Sequence, residues 1–213
     1  MDPDFDRYRQ ACNRLGIDLT KEQYDLLLGY ARLVRRENRL VNLISRRDTD
    51  RILPYHVLDS LAVQSLIPQR ARVCDIGAGA GLPGIPLAIA RSDLHVILVE
   101  STQKKCRFLT LAVRELELAN SEVVCGRSES LEPLDCDVVL SRLTARMKDV
   151  LVECAHHRKP GGKVVFYKNQ ECEDDLKHAA RALGRLRLKV RCLQDVVLPY
   201  TAIVRRFIVI GSI

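Results

Sequence analysis

The stretch VCDIGAGAGLPGIPLAIA, Val73 to Ala90, decides the fold of this chain. It predicts a short apolar strand, a glycine-rich turn and the start of a helix. A turn of this kind, at the carboxyl end of a strand in an open α/β sheet, is where a nucleotide-like cofactor binds. Three glycines of the turn are expected beside that cofactor: Gly77, Gly79 and Gly81.

Downstream of the turn, β-branched apolar runs alternate with helical patterns. The runs are ARVCDI, LHVILVE, SEVVC, CDVVLS and KVVFYK, and a last stretch, LPYTAIVRRFIVIGS, can add an antiparallel pair at the edge. Strands that alternate with helices indicate βαβ units and a parallel sheet, and near-continuous apolar strands indicate that both faces are covered. The sequence therefore predicts an α/β fold with a doubly wound, mostly parallel sheet.

Before the sheet, the periodicity is helical. TKEQYDLLLGYARLVRREN has apolar residues at helical spacing, with Thr20 and Gln23 placed as a capping box. TDRILPYHVLDSLAVQSLI predicts a second helix, interrupted or started at Pro54. We therefore expect an N-terminal helical lobe at residues 1–68 and a sheet domain at residues 69–213, packed as one compact unit.

Composition narrows the class of protein. The chain has 213 residues with 47% hydrophobic and 29% charged content, which is typical of a globular protein. No uncharged apolar run approaches the roughly 18 residues of a membrane span, and the acidic start MDPDFDRYRQ lacks the apolar core of a secretion signal. Its eight cysteines form no CxxC pair, so free buried thiols in a reducing cytoplasm are expected, with no membrane association.

Basic residues are unevenly distributed. The net charge is +7, and residues 142–213 carry 15 Lys and Arg against 7 Asp and Glu. A second basic run, residues 32–51, holds seven arginines against three acids. Either run alone suits a solvated helix face, but two basic segments around a near-neutral middle favour a polyanionic partner.

A GxGxxG pattern at residues 79–84 matches the dinucleotide fingerprint only superficially. That fingerprint needs its first glycine directly after the strand and free N–H groups aimed at a pyrophosphate. Here Gly77 follows the strand, and Pro83 and Pro86 remove donors from the first helical turn. S-adenosylmethionine has no phosphate and needs no such donors.

Acidic residues at successive strand ends also favour S-adenosylmethionine. A carboxylate at Asp75 would repel a pyrophosphate but favours an ammonium and a sulfonium, directly or through water. Glu100, at the end of the second strand, can accept both ribose hydroxyls, as it also would from NAD. Ser128 and Glu129, after the third strand, can meet the adenine edge. The adjacent pair His156 and His157 point in different directions on a helix, so no metal site is expected.

Several motifs together resemble the bacterial glucose-inhibited division protein B family, the small-subunit ribosomal RNA methyltransferase G family. They run in family order over roughly residues 20–213: VNLIS, YHVLDS, DIGAGAGLPGIPL, KKCRFL, LSR and KPGGKVVFYK. The glycine loop followed by LPGIPL is the specific part. The resemblance implies cofactor contacts at Gly77, Leu82, Ser128, Glu129 and Arg142. It also implies functional basic positions at Arg127, Lys168 and Arg205.

The resemblance implies a chemistry as well. The family transfers the methyl group of S-adenosylmethionine to N7 of a guanine in 16S rRNA, and it implies a monomer acting on that RNA or on a small-subunit assembly particle. Because N7 carries a free lone pair, such a reaction needs positioning and electrostatics but no obligatory general base. Arg142 and Lys168, at the ends of the fourth and fifth predicted strands, are the expected catalytic residues.

The sequence departs from the family in three places. Leu143-Thr144 stands where Ala-Phe is usual after the SR pair, Asn169 replaces a glycine after Lys168, and the chain has no tryptophan. These changes bear on the base pocket and leave the cofactor assignment intact. They keep open a non-catalytic RNA-binding protein with a retained fold. A second alternative is an NAD-dependent oxidoreductase, for which no substrate-domain constellation is found.

Overall fold

A seven-stranded sheet with helices on both faces forms the body of the computed structural model, which describes residues 2–143 and 145–213. The strands are β1 (Arg72–Ile76), β2 (His95–Glu100), β3 (Ser121–Cys125), β4 (Cys136–Ser141), β5 (Arg158–Lys168), β6 (Leu188–Val197) and β7 (Val204–Ser212). The helices are α1 (Phe5–Arg14), α2 (Lys21–Glu37), α3 (Leu58–Leu61), α4 (Gly84–Ala90), α5 (Gln103–Glu115), α6 (Met147–His156) and α7 (Glu173–Arg185). Thr144, half of the departure noted above, lies outside the described residues.

Strand order in the sheet is β3-β2-β1-β4-β5-β7-β6. Strands β1 to β5 pair in parallel, whereas β7 runs antiparallel to both β5 and β6. The predicted doubly wound, mostly parallel sheet is therefore confirmed, and the chain reverses its winding between β1 and β4. That reversal opens a crevice at the carboxyl ends of these strands.

The predicted strands agree closely with the observed ones. SEVVC and CDVVLS match β3 and β4 residue for residue. The last stretch, predicted to add an antiparallel pair, supplies only β7, whose antiparallel partner at the edge is β6. The sequence interpretation missed β6, whose LKVRCLQDVV alternates buried or half-buried residues with exposed ones. Such a half-exposed strand at the end of a sheet has no continuous apolar run to mark it.

The first helix predicted for the N-terminal lobe exists as α2, and it is preceded by α1, which the sequence interpretation missed. Thr20 and Gln23 form the capping box of α2, each side chain accepting from the other residue's backbone N–H. The second predicted helix is irregular: a 3₁₀ segment (Arg46–Arg51) leads into a π-helical segment (Ile52–Val57) and then into α3. Pro54 lies in the wide π-helical turns. Within residues 2–143 and 145–213, no helix is long and apolar enough to cross a membrane.

One hydrophobic core joins the lobe to the sheet. Leu27 of α2 and Leu58 of α3 are fully buried in the same cluster as Val73, Leu140 and Val165 from the sheet. Buried hydroxyls link the two parts as well: Tyr167 of β5 donates to the carbonyl of Ser60 at 3.0 Å. The boundary predicted between residues 68 and 69 is therefore crossed by continuous packing, and the division into two parts stays a prediction.

The opposite face of the sheet packs against α6 and α7, and it accounts for several cysteines. Cys74, Cys136, Cys154 and Cys172 are buried thiols in or beside this second core. The expectation of free thiols throughout is wrong for one pair, because Cys106 of α5 and Cys125 of β3 are joined as a disulfide with their Cα atoms 5.8 Å apart. The two residues are 19 positions apart in sequence, and the parallel β2–α5–β3 crossover brings them together.

Candidate functional site

A crevice runs along the carboxyl ends of the parallel strands, in two connected pockets. The larger, of about 560 Å³, lies beyond β1, β4 and β5, and the smaller, of about 260 Å³, lies beyond β2 and β3. Gly77 and Leu143 line both pockets and mark the passage between them. The larger pocket is also lined by Gly79, Leu82, Arg142, Lys168 and Arg205, and the smaller by Glu100, Arg127, Ser128 and Glu129.

The glycine loop, residues 77–84, forms the floor of this passage. Gly77, Gly79 and Gly81 have φ values of 72°, 58° and 85°, a left-handed conformation that side chains with a Cβ rarely adopt. A Cβ on Gly77 would also lie 2.6 Å from the Leu143 side chain. Glycine is therefore required here by both backbone conformation and space. Gly81 lines neither pocket, and its Cβ position faces Ile85 at 2.4 Å.

Three side chains hold the glycine loop from three directions. Glu100 Oε2 accepts from the N–H of Gly79 at 3.0 Å. Asp75 Oδ2 accepts from the N–H of Gly84 at 2.9 Å, at the start of α4. From the N-terminal lobe, the Tyr30 hydroxyl donates to the carbonyl of Ala80 at 2.7 Å. The loop is thus shaped before any ligand arrives.

Asp75 lies beneath the loop, fully buried, and lines neither pocket. Burial raises the pKa of its carboxyl to about 7, although the Gly84 N–H and the Arg142 charge pull that pKa down. Its Oδ1 has no hydrogen-bond partner among the described residues. The structure therefore places Asp75 as a support for the loop and α4, one layer away from the cofactor contact predicted for it.

Carboxylates dominate the smaller pocket. Glu100 is 6% exposed, and its Oε1 accepts from the N–H of Thr102 at 2.8 Å, which fixes the side chain at the end of β2. The Ser128 hydroxyl donates to Oε2 of Glu153 at 2.6 Å. Glu129 and Arg127 lie at the exposed rim, 3.7 Å apart. Sequence reasoning missed Glu153, because it lies within helix α6 and the search for site residues followed strand ends.

In the larger pocket, two arginines meet one carboxylate. Asp59 of α3 is fully buried, and its Oδ1 accepts from Arg205 Nε at 2.6 Å. Its Oδ2 accepts from Arg205 Nη2 at 3.1 Å and lies 2.9 Å from Arg142 Nε. Arg205 Nη1 donates to Asn169 Oδ1 at 3.1 Å, so the residue that departs from the family helps to hold this arginine.

His56 completes this cluster. Its Nδ1 lies 2.9 Å from Arg142 Nη2, and its Nε2 lies 3.4 Å from Asp48 Oδ2. Burial, followed by the Arg142 charge, lowers the pKa of His56 to about 4. The imidazole is therefore neutral at physiological pH, and its Nδ1 accepts from the guanidinium.

Lys168 lines the larger pocket with its charge already paired. Its Nζ lies 2.6 Å from Asp175 Oδ2 and donates to the carbonyl of Ala145 at 2.9 Å. Asp175 also accepts from the N–H of Met147 at the start of α6. Lys168 thus ties the segment after β4 to α7, and a third ammonium hydrogen stays available.

Sequence reasoning also missed His56 and Asp59, although both lie in YHVLDS. They are three residues apart, and the helical turn there places both toward Arg142. The signal that could have indicated them is the occurrence of two titratable side chains at helical spacing inside an apolar stretch of sequence. The ring nitrogens of His156 and His157 contact the carbonyls of Leu131 and Ser128, and the absence of a metal site at this pair stays a prediction.

A family model and individual relatives both identify this chain with the same family of proteins. The family model described as rRNA small subunit methyltransferase G matches residues 23–199. A protein of that name from Nitrosococcus oceani is 39% identical over 163 residues, 76% of each chain. Another from Chlorobium limicola is 35% identical over 181 residues, 84% of this chain and 82% of its own.

A solved structure supports the fold alone. M. jannaschii TYW2 in complex with AdoMet superimposes with a TM-score of 0.59 at 15% identity, over 74% of this chain and 76% of that one. At this identity the likeness confirms the predicted methyltransferase-type sheet, and it says nothing of substrate.

The pH dependence of the stability of Asp75→Asn tests whether the buried carboxyl of Asp75 has a raised pKa. The folded-state pKa is about 7 and an unfolded aspartate titrates near 3.9, so between these values the folded state keeps a proton that the unfolded state has lost. The free energy of unfolding contributed by Asp75 therefore falls as pH rises from 4 to 7. Asparagine does not titrate, so Asp75→Asn should gain stability relative to the parent by a few kcal/mol over this window.

Urea unfolding at successive pH values measures this difference. Asp93→Asn serves as a contrast, because Arg91 holds the pKa of Asp93 below its usual range. The contribution of Asp93 to stability therefore changes mainly below pH 4, and the stability difference for Asp93→Asn should stay nearly flat from pH 4 to 7. A stability difference for Asp75→Asn that is flat from pH 4 to 7 would refute the raised pKa.

Proposed function

Because the chain belongs to the rRNA small subunit methyltransferase G family, we propose that it transfers the methyl group of S-adenosylmethionine to N7 of a guanine in 16S rRNA. One observation carries the proposal: the crevice divides at Gly77 and Leu143 into an acidic pocket and a pocket that displays an arginine. The two halves suit the two reactants, and the methyl group would pass between them.

The smaller pocket suits the adenosine end of the cofactor. Glu100 keeps free lone pairs beyond those used by Gly79 and Thr102, so it can accept from the ribose hydroxyls. Ser128 and Glu129 lie where the adenine edge would be read, with the Glu153 carboxylate behind Ser128. The methionine end would then pass Gly77 and Leu82 toward Arg142. Three carboxylates in this pocket, Glu100, Glu129 and Glu153, would repel a pyrophosphate, which disfavours NAD.

The larger pocket suits the guanine. S-adenosylmethionine supplies an electrophilic methyl group, and N7 attacks with a lone pair that carries no proton. The residues of this pocket therefore have to position the base and exclude water, and none has to remove a proton. The neutral His56 and the paired Asp59 agree with this requirement, since neither is placed as an exposed base. Arg142 can bind the guanine O6, the flanking phosphate or the methionine carboxylate, provided that N7 stays uncapped.

Basic residues around the crevice are proposed to bind the RNA backbone. Arg127 is largely exposed at the rim of the smaller pocket. Lys168 and Arg205 also line the larger pocket. Lys168 would face the nucleotide, whereas Arg205, whose nitrogens are paired within the protein, would supply charge instead of a direct contact. Arg39 and Arg46 line a separate hollow of about 480 Å³, reached along the chain from the crevice-lining residues 43–45. Contacts from several of these cations would make binding fall steeply with salt.

We further propose that the protein acts as a monomer in the cytoplasm, where its substrate is naked 16S rRNA or a small-subunit assembly particle. The family relationship supports an RNA substrate, and the basic surface supports a polyanion.

Methyl transfer is tested with labelled S-adenosylmethionine and 16S rRNA from cells that lack this modification. Label should enter the RNA, and borohydride reduction followed by aniline should cleave the product at a 7-methylguanosine. Label that enters another atom would overturn the N7 assignment. Cofactor and RNA binding without transfer would instead identify a non-catalytic RNA-binding protein.

Glu100→Ala should weaken S-adenosylmethionine binding by about 1.5–3 kcal/mol, as expected for the loss of a charged hydrogen-bond acceptor. Calorimetric titration measures the affinity, and Glu132→Ala, an exposed acid outside both pockets, is the matched control. Parental affinity in Glu100→Ala, with an unchanged circular dichroism spectrum, would remove Glu100 from the cofactor site.

Lys168→Ala should impair methylation of the RNA without impairing cofactor binding. Because Lys168 lies on the guanine side, S-adenosylmethionine affinity should stay within about threefold while methylation falls at least tenfold, roughly 1.4 kcal/mol in the barrier. Arg142→Ala should impair both. Lys177→Ala, an exposed lysine of α7 paired with Asp174, controls for loss of one charge. Loss of cofactor binding in Lys168→Ala with RNA binding intact would mean that the two pockets are assigned the wrong way round.

A further inference from the structure

We propose that Asp59 and His56 are positioning residues that fix the Arg142 guanidinium in the larger pocket, an inference that rests on the proposed methyl transfer. Asp59 lines neither pocket and reaches the ligand only through Arg142. His56 lines the larger pocket, and its Nδ1 contacts Arg142 from the pocket wall. The two arginines have different roles in this geometry: Arg205 neutralises the Asp59 carboxylate, and Arg142 faces the ligand in the larger pocket.

The nitrogens of Arg205 already have hydrogen-bond partners within the protein. Its Nε and Nη2 form a two-pronged contact with Asp59, and its Nη1 donates to Asn169 Oδ1 at 3.1 Å. Each of its three nitrogens therefore has a partner inside the protein. A side chain with so few donors left contributes charge to the pocket, but it offers little for directional recognition of a ligand.

Arg142 is held differently. Asp59 contacts its Nε and His56 contacts its Nη2, both at 2.9 Å, so the guanidinium plane is fixed at one edge. Within residues 2–143 and 145–213 no partner is recorded for Nη1, and Arg142 lines the larger pocket. An arginine normally loses rotamer freedom when it binds a ligand, whereas here that loss occurs on folding. The fixed fork is ready to meet an oxygen of the base, a phosphate or a carboxylate.

Charge balance explains why this arrangement needs both Asp59 and a neutral His56. Two guanidinium groups against one buried carboxylate leave a net charge of one at the pocket wall. A protonated imidazole would add a second charge and could not accept from Arg142. Of the charged groups around His56, Asp48 lies on its far side and Asp59 lies beyond Arg142. The cluster therefore keeps one cation facing the ligand without an unpaired buried charge beside it.

Removal of Asp59 alone would leave two like charges together and would destabilise the fold, so the test uses a balanced pair. Asp59→Leu combined with Arg205→Met removes one charge of each sign and leaves the net charge of the cluster unchanged. The matched control is Asp195→Leu combined with Arg206→Met, which removes an ion pair of the neighbouring β6–β7 edge.

Methyl transfer to 16S rRNA is measured for a double-mutant cycle with Arg142→Ala. If Asp59 acts through Arg142, the balanced pair should fold and lose at least tenfold in kcat/KM, and adding Arg142→Ala to it should cost less than threefold more. The control pair should retain parental kcat/KM. Additive losses from the balanced pair and Arg142→Ala, or parental activity in the balanced pair, would overturn the role of Asp59.

The role of His56 is tested with a variant that keeps a hydrogen-bond acceptor for Arg142 but not the imidazole ring. His56→Asn places an oxygen near the position of Nδ1 and should keep kcat/KM within threefold, whereas His56→Leu should lose at least tenfold. Equal losses in both variants would assign His56 a packing role instead. The parental protein runs in the same assay, so failure of the parent to methylate 16S rRNA would refute the proposed function itself, separately from these positioning roles.

Discussion

The left-handed turn after β1 is the constraint on which the rest of the site depends. A chain that leaves a parallel strand and enters a helix within eight residues must turn sharply, and glycine lets it do so at positive φ. The turn is then fixed from the sheet by Glu100 and Asp75, and from the N-terminal lobe by Tyr30. The lobe is therefore part of the site, because without it the loop would lose its third support.

The two sides of the crevice differ in their charged groups. Three carboxylates line the smaller pocket, Glu100, Glu129 and Glu153, with Lys105 and Arg127 beside them, whereas the charged side chains that line the larger pocket are all basic: Arg142, Lys168 and Arg205. A cofactor with donor groups on its ribose and adenine matches the acidic half, and an RNA with a phosphate backbone matches the basic half. In methyl transfer to N7 the positive charge passes from sulfonium to base, so the protein has to align two partners more than it has to stabilise new charge.

Apolar periodicity predicted most of the fold, because a buried parallel strand carries its signal in consecutive residues. Strand ends could be placed from the sequence, and Glu100 and Arg142 do line the crevice, while their roles stay proposals. Pairings across the sequence could not: Asp59 and Arg205 are 146 residues apart, and no pattern marks them as partners. The family resemblance implied a functional basic position at Arg205, but not that its nitrogens are paired within the protein. The pairing of Cys106 with Cys125 was missed for the same reason.

A crystal structure with S-adenosylhomocysteine bound tests the central assignment most directly. We expect the ribose to contact Glu100 and the adenine to lie beside Ser128 and Glu129. We expect the sulfur to lie at the passage between Gly77 and Leu143. Adenine in the larger pocket beside Arg142, or a ligand with no contact to Glu100, would contradict it.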